Sequence, residues 1–424
     1  MRVLVIGGGG REHALCWALS RAAVVFCAPG NPGTATVGTN LPVPSDQPDD
    51  LIEACRLHHI DLVVVGPEAP LAAGLVDRLS SAGVAAFGPT AAAARIESSK
   101  AFAKAVMAEA GVPTATAVVL TDLESARQCI AAHAEPLVVK ASGLAGGKGV
   151  VVCHTRAQAL QAASAFLAGH LGAAGQEVLV EDFLEGEELS VFALTDGERC
   201  LLLPPSQDHK RLGDGDTGPN TGGMGAYTPV GLVSDHLLTT IERRILAPTL
   251  ARLAELGTPY RGLLYAGLMI GPDGPRVLEF NCRFGDPETQ VVLPALEADL
   301  TAHFWSIARG EPWRPAWERL PAARAAVTTV IAARGYPNAP QKGAPIALPA
   351  ALPPDTLLFH AGTSLDQDGM LRVAGGRVLC ATGLAADVPA AAEKSRRLAD
   401  TVEFPGRQFR RDIGWREVAR AGAA

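Results

Sequence analysis

Apolar runs and their spacing divide the chain into recognisable stretches. Short runs bounded by turn residues predict strands over 2–6, 24–28, 61–65 and 84–87. Helical spacing predicts helices over 12–20 and 51–59 between them. Strands apolar on both faces that alternate with helices point to a parallel, doubly wound sheet. Pro89-Thr90 then opens one long helix, expected over 91–110 and stopped by Gly111 and Pro113.

The next stretch has strands over 116–120, 137–140, 150–153 and 177–182. A helix starts at the capping-box spacing Thr121-Asp122-Leu123-Glu124, and another covers 157–168. A glycine-rich loop interrupts the strands at 141–149. A strand over 189–194 begins a larger mixed region. Its segment 204–229 is glycine-rich and expected to be irregular, and loops of that length are usually functional. A helix over 235–256 and strands over 263–270 and 276–280 follow, the strands joined by Gly271-Pro272-Asp273-Gly274. Beyond 320 come a strand over 327–332, a proline-rich loop over 336–354, a hairpin over 371–379 on Gly375-Gly376, and a helix over 388–401.

Composition narrows the class. The chain has 424 residues, enough for about three domains at roughly 150 each. Hydrophobic residues are 48% and charged residues 19%, which excludes wholesale disorder. The net charge of −7 disfavours a non-specific nucleic-acid binder. The apolar runs are too short for a membrane span, and the start lacks the pattern of a secretory signal. The eight cysteines are scattered, and none are spaced Cys-x-x-Cys, which favours a reduced, cytoplasmic protein over a zinc cluster. Lysine is scarce. Five of the seven lie at 100, 104, 140, 148 and 210, which suits a region that needs compact charges for phosphates.

Four segments carry candidate chemistry. Gly7, Gly8, Gly9 and Gly10 sit at a strand-to-helix turn, where backbone N–H groups favour an anion. The dinucleotide fingerprint fails there, because its third glycine falls on Glu12 or His13. A phosphate or small-substrate site fits better, and a purely structural turn is the alternative. The loop 143–149, with Gly147 and Lys148, is not a Walker A sequence but can cover phosphates as a flap, with Lys140 reaching the same groups. The acidic stretch after 178–182 is by itself more often a solvated loop. Glu279 and Asn281, two apart on a strand, face one side and offer hard oxygens to Mg²⁺. Arg283 can hold a carboxylate or phosphate, and Asp286 can bind an amine or take its proton. In the long segment, Asp208 and Lys210 are substrate-contact candidates.

These motifs together resemble the phosphoribosylamine–glycine ligases (glycinamide ribonucleotide synthetases) of the ATP-grasp superfamily. The likeness covers Val3-Leu4-Val5-Ile6-Gly7, Gly9 to Leu15, Val65-Gly66-Pro67-Glu68-Ala69-Pro70-Leu71, Phe87-Gly88-Pro89-Thr90 and Ser99-Lys100-Ala101-Phe102. It continues through the 140–149 flap, 206–211, 216–227, 279–290 and Asp412-Ile413-Gly414-Trp415-Arg416. It implies an α/β fold: an N-terminal doubly wound parallel-sheet domain (1–114), an ATP-grasp double α+β core as a small lid (115–187) and a central domain (188–320), and a small C-terminal α+β domain (321–424).

The implied reaction joins glycine to 5-phosphoribosylamine with ATP in purine synthesis, through glycyl phosphate. By the same resemblance Lys100 and Lys140 hold ATP phosphates, and the flap through Gly147 and Lys148 covers them. Glu181, Phe183 and Leu184 line the adenine, and Glu188 the ribose. Glu279 and Asn281 bind Mg²⁺ or Mn²⁺. Arg283 and Asp286 are catalytic. Gly9, Gly10, Glu68, Asp208, Lys210 and Arg411 contact substrates. The implied partners are these small molecules, not nucleic acid or membrane, and the expected form is a monomer of the monofunctional bacterial type. Ser142, Gly146 and the cysteine-free 406–411 depart from the usual pattern. Another carboxylate–amine ligase, or a nucleotide-binding regulator without turnover, are the alternatives.

Overall fold

The computed structural model describes residues 1–315 and 318–423. Its N-terminal sheet is all parallel, in the order Thr39–Asn40, Val24–Pro29, Arg2–Gly7, Leu62–Val65, Ala85–Phe87. Val3, Leu4, Val5 and Ile6 are all fully buried, because helices or the rest of the molecule cover both faces. One face packs Leu4, Ile6, Val63 and Val65 into a core shared with Leu189, Val191, Leu264 and Leu268 of the central sheet. Each such side chain contributes roughly 1.5–3 kcal/mol on burial, so the N-terminal and central sheets are firmly joined.

The central sheet runs Gly274–Asn281, Gly262–Gly271, Glu187–Thr195, Cys200–Leu202, Glu318–Arg319. The stretch expected to form the lid is a separate antiparallel sheet, Ala117–Leu120, Val178–Asp182, Leu137–Ala141, Val150–Cys153. It has its own core, with Leu120, Ile130, Leu137, Val139, Val178 and Val180 packed together. A third, antiparallel sheet orders Gln207–Asp208, Gly225–Thr228, Ala325–Ala332, Arg377–Ala385, Thr356–His360, with the helix Val388–Thr401 against it. Among the described residues no helix is long and apolar enough to cross a membrane.

Several local expectations change. The helix expected over 91–110 is two helices, Ala91–Ser98 and Lys100–Glu109. Ser99 is extended and caps the second, its hydroxyl accepting the Phe102 N–H at 3.2 Å. Asp122, not Thr121, caps the helix Leu123–Ala132. The segment 204–229 is not irregular. It contributes the strands Gln207–Asp208 and Gly225–Thr228 to the C-terminal sheet, and Arg211–Gly213 pairs with Thr217–Asn220. Nor is 371–379 a hairpin. Leu371–Val373 pairs with Thr363–Leu365, while Arg377–Ala385 joins a different sheet. The two glycines pass the chain between sheets instead of turning it back.

Candidate active site

The lid, the central sheet and the N-terminal domain enclose a cleft of about 480 Å³. Lys140 and Glu181 enter it from neighbouring lid strands. Lys140 lies opposite Leu179 in the antiparallel register, so Glu181, two residues on, is its same-face diagonal neighbour. Lys140 Nζ is 2.8 Å from Glu181 Oε2 and donates to the Leu278 carbonyl at 3.0 Å. The other carboxylate oxygen of Glu181 is 3.4 Å from Lys104 Nζ. Lys104 also donates to Thr114 Oγ1 and the Ala115 carbonyl. Burial brings the Lys104 amine down to about 8, against the pull of Glu181.

Lys100 reaches the cleft because of the helix break at Ser99. Its backbone N–H donates to the Ser142 carbonyl at 2.9 Å, and Ala101 N–H to Ser142 Oγ at 3.2 Å. Ser142, one of the departures from the family pattern, thus satisfies two free donors at a helix start. Lys100 Nζ is 3.3 Å from the Gly143 carbonyl, and burial lowers its pKa. Gly146 and Gly147 line the cleft from the flap. Lys148 is exposed, and only its backbone N–H, bonded to Ala145, takes part in the turn.

Opposite the lid, Glu279 and Asn281 line the same cleft from the strand Gly274–Asn281. Burial pushes the Glu279 carboxyl up, but Lys210, Lys100, Lys140 and Arg283 outweigh it and hold the group below its ordinary range. Among the described residues no cluster of three or more His, Cys, Asp or Glu side chains surrounds one metal position. One carboxylate and one carboxamide nevertheless fit a hard divalent cation whose other ligands are phosphate oxygens and water. Beside them Lys210 pairs with Glu188. Asp208 is pushed up to about 7, mainly by burial and also by Glu288 and Glu188, with Lys210 opposing. Glu288 is buried and accepts the Tyr265 hydroxyl at 2.7 Å.

Arg283 is fixed on two sides. Its Nε is 3.2 Å from Glu68 Oε2, and its Nη2 is 3.0 Å from Glu97 Oε1. Arg11, buried after the glycine turn, bonds Glu12 and the Phe284 carbonyl. Asp286 Oδ1 accepts Gln290 Nε2 at 2.8 Å, and Oδ2 is 3.2 Å from Arg377 Nη2. Burial raises the Asp286 pKa, but Arg377, Arg11, Gln290 and Arg283 bring it below the usual carboxylate range. Gly9 lies beside this group: a Cβ there would be 3.7 Å from Asp286 Oδ2. Gly7, at φ +119°, makes the turn that brings it there.

The cleft therefore brings together Lys100, Lys140, Gly147, Glu181, Phe183, Leu184, Glu188, Glu68, Asp208, Lys210, Glu279, Asn281, Arg283 and Asp286. Gly10 is packed against Gln290 and Cys380 and does not line the cleft. Arg411 is not brought to the cleft. It sits on the surface, where its guanidinium pairs with Asp400 at 2.7 Å. Arg11, Glu97, Glu288 and Arg377 line the cleft too without any role assigned from the sequence, and Lys104, noted there only as one of five clustered lysines, joins them. Lys104 was the most accessible of them, since it follows Lys100 by four residues on one helix face.

Three family models cover most of the chain: the phosphoribosylglycinamide synthetase N domain over 1–97, its ATP-grasp (A) domain over 98–289 and its C domain over 326–416. The phosphoribosylamine–glycine ligase of Rhizobium meliloti (strain 1021) is 45% identical over 428 residues, covering all of both chains. The trifunctional purine biosynthetic protein adenosine-3 of Gallus gallus is 47% identical over 428 residues, 99% of this chain and 42% of that one. The crystal structure of the phosphoribosylamine–glycine ligase from Thermotoga maritima superposes with a TM-score of 0.86 at 37% identity, covering 97% of this chain and 100% of that one. The biotin carboxylase domain of the Hydrogenobacter thermophilus 2-oxoglutarate carboxylase, at 18% identity and a TM-score of 0.72 over 96% and 91% of the two chains, shares the fold. With the motifs, the cleft and the three domain models in agreement, the chain belongs to the phosphoribosylglycinamide synthetase family of ATP-grasp enzymes.

Proposed function

We propose that the protein ligates glycine to 5-phosphoribosylamine, converting ATP to ADP and phosphate, in purine biosynthesis. The observation that carries this reading is the cleft in which Lys100 and Lys140 face Glu279 and Asn281 across a space open to Arg283 and Asp286. A glycine carboxylate oxygen attacks the γ-phosphorus, the bond to the β-phosphate oxygen breaks, and ADP leaves. The amine nitrogen of phosphoribosylamine then attacks the glycyl phosphate carbonyl, and phosphate leaves with the acyl C–O bond.

The residues suit these steps. A carboxylate approaching a triphosphate is repelled, and the Lys100 and Lys140 ammonium groups offset that charge. Glu279 and Asn281 would hold Mg²⁺ or Mn²⁺, which when bound neutralises phosphate charge. Arg283, anchored by Glu68 and Glu97, would orient the glycine carboxylate. Asp286 is ionised at neutral pH, since its pKa is held low, which suits a positively charged amine. Glu181, Phe183 and Leu184 would line the purine and Glu188 the ribose. Gly9, Glu68, Asp208 and Lys210 would serve the other substrates. The flap around Gly147 and Lys148 would exclude water from the acyl phosphate. The four-part division at 114, 187 and 320, a monomeric form and a cytoplasmic location belong to the same reading.

ADP release measured with each substrate omitted tests it. Sustained release over many turnovers should require glycine and phosphoribosylamine together. Release driven by bicarbonate or formate without glycine would overturn the assignment. Glu279→Ala should abolish metal-dependent turnover, and full turnover in that variant would remove Glu279 from the metal site.

A further inference from the structure

We propose that Arg377, contributed by the C-terminal sheet, is a positioning residue that clamps Asp286 to the Gly222 turn and so sets the amine-binding end of the cleft. Arg377 Nη1 donates to the Gly222 carbonyl at 2.6 Å and to the Asp286 carbonyl at 2.7 Å, while Nη2 is 3.2 Å from Asp286 Oδ2. One planar guanidinium thus spans two chain segments and a carboxylate, a pattern an ammonium cannot reproduce. Gln290 holds the second Asp286 oxygen at 2.8 Å, so the carboxylate plane is fixed from both sides.

The Gly222 turn is clamped as well, because its N–H donates to the Tyr336 hydroxyl at 3.0 Å. Gly375 and Gly376 explain how Arg377 gets there. A Cβ on Gly376 would lie 2.5 Å from the Tyr336 ring, and one on Gly375 would lie 2.9 Å from the Gly362 Cα. Only a chain without side chains at both positions passes close enough to start the strand Arg377–Ala385 at the cleft. The glycine pair thus delivers a C-terminal residue to a site otherwise built from the other parts of the molecule.

The inference rests on the role given to Asp286 above, and the experiment separates the two. Steady-state constants for each substrate are measured for Arg377→Ala, Arg377→Lys and Asp286→Asn, with thermal melting as a folding control. Arg377→Ala should lose roughly 10²-fold in kcat/KM for glycine or phosphoribosylamine, the cost of a misplaced group. Its KM for ATP should stay within about twofold, since uniform binding at the other end is untouched. Millimolar ethylguanidinium should restore part of the loss in Arg377→Ala where equal sodium chloride does not. Arg377→Lys should stay impaired. Asp286→Asn with full turnover would overturn the Asp286 reading and this inference with it. Impaired Asp286→Asn beside unimpaired Arg377→Ala would overturn the inference alone. So would a loss in Arg377→Ala that is equal for all three substrates and not rescued by ethylguanidinium.

Discussion

Arg283 and Glu97 meet with 3.0 Å between Nη2 and Oε1, and Glu97 reaches the same strand end a second time through Oε2, which accepts the Cys282 N–H at 2.7 Å. One buried carboxylate from the helix Ala91–Ser98 therefore fixes both the backbone and the side chain of the residues following Asn281. Glu97→Ala leaves the buried guanidinium with Glu68 as its remaining carboxylate partner and strands a buried amide. Losing one partner of a buried pair costs about 3–5 kcal/mol. The expected outcome is a lower urea midpoint together with a higher KM for glycine. An unchanged midpoint would show that Glu68 alone holds Arg283.

Lys140 touches a lid carboxylate and the Leu278 carbonyl on the opposite wall, so it joins the two sides of the cleft. Lys140→Met keeps the stem and removes the charge. By analogy with the loss of one transition-state charge donor, kcat should fall by roughly 10²-fold or more. Calorimetry with a non-hydrolysable ATP analogue should show weaker binding as well. Affinity and turnover both equal to those of the unsubstituted protein would remove Lys140 from phosphate binding.

Ser99 separates the two helices and starts the one that carries Lys100. Ser99→Ala removes the side-chain acceptor for Phe102 N–H, a loss of about 1 kcal/mol at a helix N-cap. Lys100 is the next residue, so ATP affinity should fall together with stability. A variant with lower melting temperature and intact ATP affinity would show that Ser142 suffices to hold Lys100 in place.

Buried histidines predict a protein that loses stability in acid. Burial lowers His13 to about 3, with His360 adding to the effect, and burial together with Arg410 and Arg416 lowers His209 to about 3. A depressed histidine pKa means the unfolded chain binds the proton first. The stability these groups contribute is complete above their ordinary pKa of about 6.5 and is lost as pH falls from there towards 3. Between pH 7.5 and 5 each site should cost about 2 kcal/mol. Urea midpoints across that range should fall steeply, with proton uptake on unfolding. His209→Gln should flatten the slope. A slope unchanged by that substitution would place the acid sensitivity elsewhere.

Much of the architecture was legible because it is local. Val3-Leu4-Val5-Ile6, short, β-branched and ended by glycines, reads as a strand covered on both sides and is one, and the helix Val388–Thr401 lies where its periodicity placed it. Glu279 and Asn281 stand two apart on a strand, and strand geometry alone puts them on one side. The lysines at 100 and 140 were legible as types, since lysine is scarce in this chain.

What the chain could not reveal by itself is where distant segments meet. The pattern over 91–110 reads as one helix, and the break at Ser99 depends on Ser142, forty-odd residues later, accepting the N–H groups that the break exposes. Gly375-Gly376 has the form of a turn, yet close approach to Gly362 and Tyr336 makes it a crossing between sheets. Arg411 carries the charge a phosphate needs, but Asp400 claims it at the surface. Charge type and local periodicity are written in neighbouring residues. Which carboxylate a given cation meets is set by packing between sheets, where burial makes an unpaired charge costly and so selects its partner.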